Sequence, residues 1–413
     1  MKMDNPSQQR APQQMDLPRV LFLVEGFTDI RFVTGLSEIS QLTMAVPART
    51  YNSGDLKERV IASGAAITVD EIPGGRLRFQ FASLRYLLKN AHKFDVILCQ
   101  ELLRSALNGS IMSVLTGTPV VVAMSLAPVE YFRCRRERGQ IGALKAWLGE
   151  TTIRTLMTIN GSIATKCLAL GPYLMGVAGH YCSRVEKGYY YGVDTDLFHP
   201  VDEAAKQRLR KKCDLPPEKF VILLSSRISH EKDPETVLLA ADLARQQGLD
   251  VAIINLGGGY KDFLDLAKRL ELHDAADWVL ARPAVHPMKD LVDYYQASDC
   301  LAQASLAEGL GLSPLEALAT GTPAVCTAVG GLTQLEGHGR MTPKRDAKAM
   351  CDQFLWIDRH REEARAEALR AREWVIREWS RKRAFAELAT SLEGAVRQRP
   401  KKRADAQEPQ ASS

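Results

Sequence analysis

The chain has 413 residues, with 54 Lys and Arg against 49 Asp and Glu and a formal charge of +5 at neutral pH. That length exceeds what one hydrophobic core organises, so two domains are expected; so small a charge on an ordinary globular composition gives no reason to expect a nucleic-acid partner. Part of the excess is local, at 133–138, 208–212 and 397–403, which leaves open contact with an anionic membrane surface or plain solvated charge.

Residues 1–16 are rich in Gln, Pro and Asn and lack the apolar core of a signal peptide, so they are expected to be a disordered leader. Eight cysteines, none in a Cys-x-x-Cys pair and several inside apolar runs, suit buried thiols in a reducing cytoplasm. The longest uncharged stretch, 105–129, is interrupted by Asn108, Gly109, Gly117 and Pro119. It fits a helix, a tight turn and a buried strand, and no transmembrane segment is expected.

From Arg19 onward short apolar runs at 20–24, 42–46, 66–69, 96–99 and 120–123 alternate with helical patterns such as 77–90. Continuous apolar runs of that length are expected of parallel strands covered on both faces, and the alternation predicts a doubly wound sheet. The first strand ends at Glu25-Gly26, where a glycine loop commonly approaches a ligand; Gly26 is therefore a candidate binding residue, though only one glycine stands there. A second series follows Pro200, with strands at 220–224, 251–255, 278–280, 300–302 and 324–326 and helices at 234–246, 260–272 and 288–297. The halves echo one another, since Thr116-Gly117-Thr118-Pro119 and Thr320-Gly321-Thr322-Pro323 each join a helix to a strand. The fold class is thus α/β with two Rossmann-like domains, 17–198 and 199–372, facing one cleft. A helix at 373–398 follows, then a polar tail at 399–413 expected to be disordered.

Arg227 and Lys232 lie in the loop after the first strand of the second domain, facing the cleft, where a planar fork and a point charge suit a diphosphate. Farther on, Glu308 and Glu316 stand eight residues apart, a little over two helical turns. Gly309 and Gly311 interrupt the helix between them, so loop N–H groups and a helix N-terminus at Leu312 are expected beside Glu308, as an anion site requires. Carboxylates at both ends of a phosphate site suit a ligand with a central diphosphate flanked by hydroxyl-rich groups, which describes a sugar nucleotide.

At these residues the sequence meets a family. The run 294–316 resembles the Glu-x7-Glu signature of the retaining, family-4 type (group 1) glycosyltransferases, with Tyr-Tyr-x-x-Ser-Asp before it and Ala-x-Gly-Thr-Pro-Ala-Val after. Ser226-Arg227-Ile228-Ser229-His230-Glu231-Lys232 and Gly192-Val193-Asp194, with Phe198 and Pro200, resemble the same family in the same order. The likeness is good from 191 to 331, topological over the first 190 residues, and fades after Glu336.

The resemblance implies the GT-B architecture, with a C-terminal helix crossing back to the N-terminal domain; residues 373–398 look like that strut, although an amphipathic helix on its own domain reads the same. It makes Arg227 and Lys232 catalytic cations against the leaving diphosphate, with Glu308 orienting the donor sugar. Glu316 would hold the ribose, and the amides at Gly309, Gly311 and Leu312 the phosphates. Gly258 and Gly259, after Gly257, stand where the family has a turn flanking the nucleotide, or form a plain strand-to-helix turn. Asp194-Thr195-Asp196 falls in the family's interdomain segment, so it reads as hinge in preference to metal site, and no metal and no cofactor is expected beyond a UDP- or GDP-linked donor as co-substrate.

The resemblance departs on the acceptor side. Where many relatives carry a histidine, this chain has Cys99-Gln100-Glu101 and Met124-Ser125-Leu126, leaving Glu101, Ser125 and Glu130 as substitutes. The basic stretch 131–138 either grips an anionic or lipid-linked acceptor or is a solvated loop. The implied activity is sugar transfer with retention, by front-face attack, to a glycan or lipid-linked acceptor in cell-surface polysaccharide or glycolipid assembly, in the cytoplasm or peripherally at the inner membrane face. A sugar-nucleotide epimerase of the same fold, or an inert nucleotide- or glycan-binding homologue, are the other readings.

Overall fold

The structure, a computed structural model, describes residues 17–398 apart from Phe27, Gly54, Gly75, Arg138, Gln140, His286 and Pro287. The leader 1–16 and the tail 399–413, both expected to be disordered, lie outside the described residues.

Seven parallel strands form the first sheet: β1 (Arg19–Leu23), β2 (Gln41–Pro47), β3 (Ile67–Ile72), β4 (Val96–Gln100), β5 (Val120–Met124), β6 (Lys166–Leu170) and β7 (Val185–Gly188). Their order is β3-β2-β1-β4-β5-β6-β7. Six more form the second: β8 (Phe220–Leu224), β9 (Val251–Leu256), β10 (Val279–Arg282), β11 (Cys300–Gln303), β12 (Ala324–Thr327) and β13 (Arg340–Thr342), in the order β10-β9-β8-β11-β12-β13. Every pairing is parallel, as with Phe22 opposite both Met44 and Leu98, and Leu223 opposite both Ile254 and Leu301. In each sheet the chain reverses direction beside the first strand, between β1 and β4 and between β8 and β11, and ligands sit outside the carboxyl ends of strands at such switch points.

The central strands are buried on both faces, from Val20 to Leu23 and from Phe220 to Leu224, which is why their sequences read as unbroken apolar runs. The uncharged stretch resolves as expected: the helix Arg104–Thr116 ends at Gly117, whose φ of +68° stops it in a left-handed turn before β5. No helix among the described residues is long and apolar enough to cross a membrane. All eight cysteines are free thiols and buried.

Two strands of chain cross between the domains and are bonded to each other. Val193 N–H donates to the Trp379 carbonyl and Arg381 N–H to the Val193 carbonyl, both at 2.7 Å. Gly192, at φ +62°, has no room for a Cβ, which would lie 2.8 Å from the Ser380 backbone. At Ser380 the helix Arg361–Trp379 stops and the helix Arg381–Arg397 begins, capped by the Ser380 hydroxyl. The first of these packs Ala368, Ala371 and Val375 against Leu315 and Leu318 of the second domain. Phe385, Leu388 and Leu392 of the second pack on Phe22, Leu98 and Val121 of the first sheet. The terminal helix therefore crosses back, and Gly35 makes the seat: a Cβ there would lie 1.9 Å from Phe385.

Candidate active site

The second domain's switch point gathers three loops. After β8 the chain runs through Ser225 to Lys232; its Ile228 N–H donates to the Gly258 carbonyl at 2.8 Å, tying it to the turn after β9. Gly257 must be glycine, because a Cβ would meet the Ser226 carbonyl at 2.4 Å, and Gly259 takes φ +79° to start the helix Tyr260–Arg269. After β11 comes the loop to Gly311, whose φ of +83° caps the helix Leu312–Ala319. Ser313, in that helix's first turn, donates to the Ser225 carbonyl at 2.9 Å.

Glu308 sits among these loops, 9% exposed. Its Oε2 receives Lys232 Nζ at 2.5 Å, Gln303 Nε2 at 2.6 Å and the Ser305 hydroxyl at 3.2 Å. The Gly309 N–H donates to Oε1 at 3.3 Å. Glu308 and Lys232, seventy-six residues apart in sequence, thus form one charge-assisted pair. Arg227 stands farther out; its guanidinium is bound to Glu231 at 2.5 Å and its side chain is 65% exposed, at the mouth of the cleft.

Glu316 shares no hydrogen-bond partner with Glu308. It is 4% exposed and takes a hydrogen bond from Tyr295 OH and one from Arg31 Nη1, each at 2.7 Å. Arg31 comes from the first domain. It is clasped by Asp29 through Nε and Nη2 at 3.0 Å and lies over the Tyr191 ring at 4.0 Å. Burial works to raise the Asp29 carboxyl, but its bonds and charge attraction with Arg31 outweigh that and hold it below the usual range. Burial likewise works against the Arg31 charge, yet Tyr191, Glu316 and Asp29 together raise its pKa well above the ordinary value.

The first domain closes directly onto this site. A Cβ on Gly309 would lie 2.0 Å from the Ser125 carbonyl, and one on Gly331 would lie 1.9 Å from the Gly309 carbonyl. Tyr131 and Cys134, on the helix Pro128–Glu137, pack against Leu306 and Ala307. Burial raises the Tyr131 hydroxyl's pKa far above normal, with Glu308, Glu231 and Glu101 adding to the effect and Arg227 opposing it. Residues of both domains therefore act on one point.

Of the residues singled out from the sequence, Glu308, Lys232, Gly309, Gly311 and Leu312 come together, with Arg227, Gly258 and Gly259 at their edge. Beside Gly26, after β1, the space is open, with nothing within 4 Å of where its Cβ would be. Asp194 accepts from the Leu197 N–H at 3.1 Å within the crossing segment. Sequence reasoning missed Arg31, whose only local sign was the preceding Asp29. It also missed Gln303 and Tyr295 as carboxylate partners, although Tyr295 lies inside the Tyr-Tyr-x-x-Ser-Asp run.

Two parallel Rossmann-like sheets with the candidate residues in the cleft between them define the GT-B fold. Within it, residues 205–374 match the family model described as "Glycosyl transferases group 1". D-inositol 3-phosphate glycosyltransferase of Arthrobacter sp. (strain FB24) is 35% identical over 171 residues, 40% of this chain; the matched stretch spans 39% of that protein's own length. The Anabaena protein HepE, solved in complex with UDP-glucose, superposes with a TM-score of 0.72 at 18% identity over 91% of this chain and 100% of its own. Sucrose-phosphate synthase of Thermosynechococcus elongatus gives a TM-score of 0.72 at 19% identity, covering 91% of this chain and 98% of its own.

Proposed function

We propose that the protein is a glycosyltransferase that moves a sugar, with retention, from a UDP- or GDP-linked donor to a glycan or lipid-linked acceptor, without a metal in the chemical step. The observation that carries this is the Lys232–Glu308 pair beside the helix that Gly311 starts: a fixed cation, a helix N-terminus without a side-chain cap and a buried carboxylate belong to one loop cluster. Lys232 and the Leu312 helix end hold the diphosphate and offset the charge that grows on it as the anomeric bond breaks, an interaction worth more in the transition state than in the ground state. Glu308 then takes hydrogen bonds from hydroxyls of the transferred sugar. Arg227, free to swing from Glu231, closes over the phosphates from the mouth. Glu316 receives the ribose once Arg31 yields its place. The relatives support the class, since the curated ones act on a phosphorylated polyol by name and HepE was solved with a nucleotide sugar.

For the acceptor side we place the protein against an anionic membrane face in the cytoplasm. On the helix Ala143–Ile163, Leu144, Trp147 and Leu148 are exposed in one stripe, beside exposed Arg135 and Arg136, the pairing of apolar and basic groups that adheres to such a surface. Sedimentation with phosphatidylglycerol vesicles tests this part; equal binding by Trp147→Glu would count against it.

A thermal-shift panel of UDP-glucose, UDP-N-acetylglucosamine and GDP-mannose tests the activity class. A donor at a hundred times its Kd adds roughly 2.7 kcal/mol of stability. A flat response across the panel would contradict the reading. Conversion of the donor to an epimer with no acceptor present would favour the epimerase.

A further inference from the structure

The first sheet has a carboxylate at its own switch point. β4 ends at Gln100, and Glu101 follows it, the place in the first sheet that corresponds to the end of β11 in the second. Glu101 holds φ at +66°, a left-handed conformation that a long side chain rarely adopts. It is 8% exposed. Its Oε1 accepts from the Ser125 N–H at 2.9 Å and from the Ser125 hydroxyl. Its Oε2 is buried and makes no hydrogen bond of ordinary geometry, with the Leu126 N–H near enough to the carboxyl to lower its pKa.

A strained backbone and a buried carboxylate oxygen without a well-formed hydrogen bond each cost stability. Ser125, which holds Oε1, turns its carbonyl onto Gly309 of the second domain, where a Cβ would lie 2.0 Å from it. Tyr131 feels Glu101 and Glu308 together. One carboxylate from each sheet's switch region thus lies within electrostatic reach of Tyr131, and burial, partly offset by the Ser125 hydroxyl and N–H and the Leu126 N–H, pushes the Glu101 carboxyl up to about 7.

We propose that Glu101 is a sugar-site carboxylate contributed by the first domain, its Oε2 accepting a hydrogen bond from a hydroxyl of the transferred sugar or of the molecule that receives it. Hydroxyl recognition by a desolvated carboxylate is strong and directional. This rests on the glycosyltransferase reading and adds to it a group from the first domain. Ser125 is a positioning residue, holding Oε1 so that Oε2 points outward.

The test uses the full chain, with whichever of UDP-glucose, UDP-N-acetylglucosamine and GDP-mannose the wild type binds, and with water standing in for the acceptor. Glu101→Gln keeps the shape; Glu101→Gly removes the side chain and accepts the left-handed backbone without strain, so at least one folds. Calorimetry compares the donor with its bare nucleoside diphosphate, and donor hydrolysis is followed separately. If the hydroxyl belongs to the donor sugar, both variants bind the donor ten- to a hundredfold more weakly while the nucleoside diphosphate is unaffected. If it belongs to the receiving molecule, donor binding is unchanged and hydrolysis falls at least tenfold at saturation. Binding and hydrolysis both within twofold of wild type would overturn the proposal. A wild-type chain that binds none of the three donors would instead overturn the reading beneath it.

Discussion

Arg31 of the first domain and Glu316 of the second are joined across the cleft, guanidinium to carboxylate, at 2.7 Å. Glu316 is buried, with Tyr295 as its other partner, so removing Arg31 leaves that carboxylate without its cation, while removing Glu316 leaves half-buried Arg31 to Asp29 alone. Arg31→Ala and Glu316→Ala should each cost about 2–4 kcal/mol. The double variant should recover about 1–3 kcal/mol of the sum, because the pair is lost only once. Thermal unfolding of the four proteins checks this; strictly additive losses would contradict a coupled pair.

The two carboxylates of the motif should separate kinetically. Glu308 is bound to Lys232 in the loop beside the reacting sugar, where contacts that tighten as the anomeric carbon gains positive charge lower the barrier itself. Its loss should chiefly reduce kcat. The ribose contact assigned to Glu316 hardly changes during reaction, so Glu316→Gln, which spares the buried site a stranded charge, should raise donor KM roughly ten- to a hundredfold with less effect on kcat. Identical defects in the two variants, or a normal donor KM in Glu316→Gln, would refute the division.

Both sheets were legible where strands are covered on both faces: 20–24 and 220–224 are unbroken apolar runs. Three strands escaped. β6 is five residues behind a long helix, β7 reads Val-Glu-Lys-Gly, and β13 is a three-residue edge strand whose Arg340 reaches Glu367; edge strands with one wet face lose the apolar signal. In the site, Glu308 and Lys232 were visible because each sits in a loop defined by glycines or by a strand end. Arg31 was not, since its partner lies 285 residues away and local pattern carries no record of which surface the other domain presents. The helix begins at Leu312, after Gly311, as the two glycines led one to expect, so the eight-residue spacing of Glu308 and Glu316 is not spanned by one helix.

Glu101 should leave a mark on stability as a function of pH. Its carboxyl titrates near 7 in the folded protein against an ordinary value of 4.5, because burial penalises the charge, with Tyr131, Cys167 and Tyr190 also facing it. Between those values the folded state holds a proton that the unfolded state has lost, so stability falls as pH rises from about 4.5 to 7 and then levels. Glu101→Gln should unfold with wild type at pH 4 and be more stable by a few kcal/mol at pH 8, on the order of 1.4 kcal/mol for each pH unit that separates folded from unfolded titration. Parallel melting profiles across that range would contradict the assignment.

Asp194 and Asp196 should not bind a catalytic metal. Asp194 is tied to the Leu197 N–H, and Arg372 binds the Thr195 carbonyl between the two carboxylates at 3.0 Å while lying close to Asp196. Turnover should be unchanged by excess EDTA. Loss of activity restored by manganese would refute this.

The central claim is that the Lys232–Glu308 loop cluster takes the diphosphate of a nucleotide sugar. Titration calorimetry of UDP-glucose, UDP-N-acetylglucosamine and GDP-mannose into wild type and Lys232→Ala tests it most directly. One donor should bind wild type with one-to-one stoichiometry, and Lys232→Ala should bind it about ten- to a hundredfold more weakly, the worth of one charge-assisted contact. Wild type that binds none of them, or a Lys232→Ala protein that binds as wild type does, would contradict the account.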